Sequence, residues 1–134
     1  MGKTPFVTEI QNGTRTEVAF RMLPLAQEDY QCIGAALSSP QCQLTTLEID
    51  ACGLEDLGAA AISEPLAQCR TLCTVILTQH QMSVAGMRAV AEGAAGSRSL
   101  QQFNNFPVGA LREGKQTELA LIEQPRKLHK YIPA

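Results

Sequence analysis

Apolar and polar positions in this chain repeat every 28 residues. Leu44, Leu72 and Leu100 each open the frame L-x-x-apolar, and Gly58, Gly86 and Gly114 each follow fourteen residues later. Leu44, Leu47, Ile49, Cys52, Leu54, Gly58, Ile62 and Leu66 align without a gap on Leu72, Val75, Leu77, His80, Met82, Gly86, Val90 and Ala94. Inside each period the pattern changes character. LTTLEID and LCTVILT alternate as half-buried strands do, whereas Glu55 to Ala67 and Ala85 to Ala94 carry apolar residues at helical spacing. Each period is therefore expected to be one strand and one helix. A fixed period of this length marks an α/β solenoid, in which no unit buries its own apolar face and stability comes from stacking.

The ends are less regular. FVTEIQ and TRTEVAF flank Asn12-Gly13, the favoured two-residue loop between antiparallel strands, so residues 1–20 are predicted to form a capping β-hairpin. A degenerate unit spans 18–43, with Phe20 and Met22 as strand residues, Tyr30 in the glycine column, and Ile33, Ala36 and Leu37 on a helix. The clear units are 44–71 and 72–99. A second degenerate unit, 100–125, keeps Phe103 in its apolar column but has Asn105 where an aliphatic strand residue belongs. Gly114 and the stretch Glu118 to Glu123 predict its turn and helix. Pro125 ends that helix, and the basic tail 126–134 follows. The whole of 1–134 reads as a single domain of three to four strand-helix units. The hairpin is expected to guard the first sheet edge, and nothing comparable guards the end after Phe103.

Composition narrows the class without naming a function. With 45% hydrophobic and 18% charged residues the chain is an ordinary globular domain. It has no apolar run of spanning length, and Met1 to Ile10 lacks the regions of a signal peptide. Five cysteines without a C-x-x-C pair suit an intracellular, reducing compartment, cytoplasmic or organellar. The net charge of -2 is unevenly placed. From Met22 to Cys69 there are seven acidic residues and no Lys or Arg, while Arg126, Lys127 and Lys130 make the tail a candidate contact for an acidic partner.

Candidate chemistry is sparse. No phosphate-binding, dinucleotide-binding, zinc-protease or hydrolase motif is present. Cys69-x-x-x-Cys73 lies near His80, but Cys52 and His80 fall at equivalent positions of successive units, so a structural reading is favoured over a metal site. His80 is expected to bond backbone in its turn. The pairs Glu28-Asp29 and Glu55-Asp56 read as helix-start residues. The expectation is a chain that is not an enzyme, with no catalytic, cofactor or metal residues and no cofactor.

The run SPQCQLTTLEIDACGLEDLGAAAISEPLAQCRTL resembles the ribonuclease-inhibitor type of leucine-rich repeat, closely over Pro40 to Gly96 and loosely over Val18 to Ile122. That resemblance implies a parallel sheet on a concave face and helices outside, with Cys52 and His80 at the family's ladder position and Val108 departing from it. Stacking strands at about 4.8 Å then forms columns on the concave face: Thr46, Thr74 and Gln102; Glu48, Ile76 and Asn104; Asp50, Thr78 and Phe106. Ile76 and Phe106 stand out, because an outward apolar side chain on a strand either meets a partner or is covered by its own chain. The function expected is protein–protein interaction, as an accessory or scaffold subunit of a stable multi-subunit assembly, with no nucleic acid and no membrane span. The alternative is regulation of a partner enzyme, either as an active-site inhibitor or as a leucine-rich-repeat GTPase activator. The acidic stretch suits an inhibitor of a basic enzyme.

Overall fold

The alternation of strand and helix is realised unit by unit in a computed structural model describing residues 6–104 and 106–109. The elements are α1 (Val7–Asn12), β1 (Glu17–Arg21), α2 (Gln27–Leu37), β2 (Thr46–Asp50), α3 (Asp56–Gln68), β3 (Thr74–Thr78), α4 (Val84–Gly96), β4 (Gln102–Phe103) and β5 (Phe106–Pro107). The sheet has the order β1-β2-β3-β4-β5; its first four strands are parallel and β5 is antiparallel. The 28-residue period appears directly as the β2–β3 register, in which Thr46 lies beside Thr74 and Asp50 beside Thr78. Leu47, Ile49, Val75 and Leu77 are buried in one core with Ile62, Leu66, Val90 and Ala94 from the helices. Each such side chain contributes about 1.5–3 kcal/mol on burial, and none could do so without the neighbouring unit.

The glycine column marks one close approach between successive units. A Cβ on Gly58 would lie 2.8 Å from the Tyr30 ring and 2.9 Å from a Leu54 methyl. Tyr30 thus fills the glycine position of the unit before, as its place in the sequence predicts. Its ring is buried and its hydroxyl donates to the Cys52 carbonyl at 3.0 Å. Burial holds the Tyr30 phenol well above its ordinary pKa.

The N-terminal hairpin is not formed. Val7–Asn12 is helical, and Gly13, at φ 81°, ends that helix by donating its N–H to the carbonyls of Glu9 and Ile10. A left-handed glycine serves a helix C-terminus as well as it serves a tight hairpin. The helix also turns Ile10 into the core with no exposure at all. The strand after it does form, in a register two residues from the one expected. Val18 and Phe20, not Phe20 and Met22, pair with Leu47 and Ile49. The loop past Pro24 carries one residue more than its counterparts: twelve steps separate Val18 from Tyr30 and eleven separate Leu47 from Gly58. Met22 instead turns the chain at φ 53° and is 80% exposed.

The C-terminal side also departs from the expected pattern. β4 stops after two residues, Asn104 takes φ 51°, and the chain returns as β5 with Phe106 paired to Phe103 and Pro107 to Gln102. The end after Phe103 is therefore guarded by β5. The predicted helix at Glu118 to Glu123, Gly114 and the tail residues Arg126, Lys127 and Lys130 lie outside the described residues.

Candidate interaction surface

Alternation along β1, β2 and β3 sends one set of side chains into the core and the other to the opposite face of the sheet, here termed the helix-free face because the helices among the described residues pack on the core side. The register arranges the second set in three rows. Glu17, Thr46, Thr74 and Gln102 form the first, Ala19, Glu48 and Ile76 the second, and Arg21, Asp50 and Thr78 the third. Two residues predicted for these columns are not in them. Asn104 is fully buried, because the short β4 turns where it should continue; its Oδ1 accepts the Leu77 N–H at 2.6 Å. Phe106 belongs to antiparallel β5, opposite Phe103, so its backbone is not in line with Asp50 and Thr78.

The rows differ in how far they are already satisfied. Arg21 forks onto Glu48, with Nη2 to Oε1 at 2.8 Å and Nε to Oε2 at 3.2 Å. That hydrogen bond and the carboxylate charge raise the guanidinium pKa further. Asp50 accepts from the Thr78 hydroxyl at 2.7 Å and from the Gln79 amide at 3.2 Å. Gln79 reaches it because the strand ends there in a left-handed turn at φ 49°. The acidic stretch thus meets a cation one residue before it begins. Ile76 has no comparable engagement. It is half-buried, lies beside Glu48, and is not among the apolar residues packed against the core.

Sequence reasoning missed Glu17, Ala19 and Arg21, since the β1 register was placed two residues too late. The alternation E-V-A-F-R, with Val18 and Phe20 as its apolar members, is the signal that locates them. The turns beside this face are held by side chains at equivalent positions of successive units. The Cys52 thiol donates to the carbonyls of Phe20 (3.1 Å) and Asp50 (3.3 Å), and His80 Nδ1 accepts the Met82 N–H at 3.3 Å. Asp56, in the first turn of α3, accepts the backbone N–H of Ser83 at 2.8 Å and its hydroxyl. The Ser83 hydroxyl and then its N–H hold the Asp56 pKa below the ordinary carboxylate range. Among the described residues, no group of three or more His, Cys, Asp or Glu side chains could hold a metal ion, and no helix is long and apolar enough to cross a membrane.

Repeated strand-helix units with parallel strands on one side define the class of this molecule as α/β. No family model matches the chain. Over 87 residues, 65% of its length, it is 31% identical to the NACHT, LRR and PYD domains-containing protein 5 of Bos taurus, and it spans only 8% of that relative. Among solved structures it is similar to the leiomodin-1 actin-binding site 2, with a TM-score of 0.62 at 17% identity, over 72% of this chain and 56% of that one. At that identity the second likeness concerns the fold.

Proposed function

We propose that this chain is a short leucine-rich-repeat solenoid of the ribonuclease-inhibitor type, acting as a non-enzymatic interaction module. In this reading it is an accessory or scaffold subunit that meets a partner protein on the helix-free strand face. The observation that carries the reading is Ile76, a half-buried aliphatic side chain at the middle of that face and outside the core. The polar residues around it are held by one another, as in Arg21–Glu48 and Thr78–Asp50. Pairs already made before binding reduce the side-chain ordering a partner must impose. The names of the similar proteins, one that includes LRR and one an actin-binding site, accord with a protein partner.

The same pairing weakens the alternative of an enzyme inhibitor that works by acidic attraction. Glu48 and Asp50 are its natural contacts, and Arg21 offsets the first while two donors occupy the second. The test is recovery of the tagged chain from its native extract at moderate and high salt, with mass spectrometry of bound proteins. A fixed, stoichiometric set that survives high salt is the expected result. Recovery of one basic enzyme that is released by salt would replace this reading with the regulatory one.

A further inference from the structure

The two ends of the sheet are finished differently. Beyond β4 the chain returns as β5, which is two residues long and includes Pro107, a residue without an N–H to offer a further strand. At the other end β1 pairs with β2 only, because the chain before it is helical and the expected hairpin partner is not formed. Parallel pairing turns alternate residues of β1 toward β2. The Thr16 carbonyl accepts the Thr45 N–H at 2.7 Å, the Phe20 carbonyl accepts the Cys52 thiol, and the Met22 N–H donates to the Asp50 carbonyl at 2.8 Å. Thr16, Val18, Phe20 and Met22 thus address β2, and the N–H and C=O groups of Glu17, Ala19 and Arg21 face away from it. Among the described residues, no group bonds them. All three residues are exposed, whereas their row neighbours on β2 and β3 are half-buried.

We propose that this edge binds a second copy of the chain, with β1 antiparallel to β1 of that copy about a two-fold axis at Ala19. The residues whose edge groups are unbonded then face one another. Ala19 meets Ala19 of the second copy, and Glu17 of each copy meets Arg21 of the other. Such opposed residues exchange N–H···O=C bonds in both directions, as hydrogen-bonded antiparallel pairs do. The charges fit this register, because Glu17 and Arg21 lie directly opposite on the helix-free face, where unlike cross-strand charges are favourable. Glu17 has no ion pair among the described residues. Arg21, whose side chain is 64% exposed, forks onto Glu48 through Nε and Nη2 and leaves Nη1 for a second carboxylate. Ala19 puts no long side chain at the axis. Among the described residues the far edge carries Pro107 in place of a second such strand, so the pairing closes as a two-fold dimer and does not propagate. The two sheets become one, and the dimer does not depend on what Ile76 meets.

The experiment is sedimentation velocity of the full 134-residue chain over a concentration series with reductant present, paired with amide exchange. The expected result is a monomer–dimer equilibrium in which the amides of Glu17, Ala19 and Arg21 exchange more slowly as dimer accumulates. Ala19→Pro removes an N–H that makes no bond within the described chain, a place where an edge strand tolerates proline, and is expected to weaken the dimer at least tenfold. Glu17→Arg and Arg21→Glu are each expected to be monomeric, since like charges then oppose one another, and an equimolar mixture of the two is expected to form a heterodimer. That mixture decides the matter even if the proline variant fails to fold. A wild-type chain that stays monomeric throughout would overturn the proposal. Slow β1 amides in that monomer would mean that another segment of the chain covers the edge, and fast ones would leave the edge to a strand of another protein. A dimer that Ala19→Pro and both charge variants leave intact would overturn the proposal as well.

Discussion

The unit built on β3 and the unit built on β4 begin alike and end differently. In the first, five strand residues run beside β2 and a left-handed residue, Gln79, follows. In the second, the left-handed residue is Asn104, which comes after two strand residues only. In a longer β4 the backbone carbonyl of residue 104 would receive the Leu77 N–H; here the side-chain amide of the same residue receives it. Asn104 thereby ends the parallel ladder without leaving a buried donor unmade. β5 then covers the shortened strand. A stack of repeats can therefore be stopped by one polar side chain that imitates backbone, combined with a return strand.

The largest effects are expected where the comparison is broken at its apolar positions. Phe103→Ala should cost about 3–5 kcal/mol and Leu47→Ala about 2–5 kcal/mol, each lowering the midpoint of a single cooperative denaturant transition. A Phe103→Ala chain whose main transition is unmoved would mean that the β4 unit unfolds separately from the rest. Next is Asn104→Ala, which leaves the buried Leu77 N–H without an acceptor and should cost about 1–3 kcal/mol. Thermal melting reads this directly, and Leu77 amide exchange should accelerate more than that of Leu47. No loss of stability would show that the side-chain cap is dispensable.

A smaller effect is expected at Tyr30, which links the first unit to the second. Tyr30→Phe removes the bond to the Cys52 carbonyl and should cost about 1 kcal/mol. The sign of its pH dependence follows from burial. The folded-state pKa lies above the ordinary 10.0, so the unfolded chain loses its phenolic proton first as pH rises. Stability from this group is complete below that value and declines above it. Denaturant melts at about pH 9 and pH 11 should show a larger loss in wild type than in Tyr30→Phe; equal losses would remove Tyr30 from the alkaline transition. The smallest effect belongs to Arg21→Ala, which breaks an exposed pair and should change stability by less than about 1 kcal/mol. A larger loss in urea would mean that the helix-free face contributes to the fold itself.

The period-28 pattern made the central units legible because their register is an exact translation of the sequence. Leu47 and Ile49 lie beside Val75 and Leu77 with no insertion between. Legibility failed where one local signal has two physical uses. Asn12-Gly13 suits a hairpin, but the same left-handed glycine ends a helix, and six residues are too few for periodicity to choose between them. Asn104 read as an outward polar strand residue because its side chain's service to the Leu77 N–H depends on a strand ending early. Arg21 was hidden by the one extra residue in the loop after β1.

The most direct test of the proposed surface is a side-by-side recovery of partners by the wild-type chain and by Ile76→Lys at high salt, quantified by mass spectrometry. Ile76 is outside the core, so the variant is expected to melt within a few degrees of wild type, about what a surface change produces. The account predicts that the stoichiometric partner set falls at least tenfold with Ile76→Lys while the fold is kept. Undiminished recovery by a folded Ile76→Lys chain would contradict it and move the interaction off the helix-free strand face.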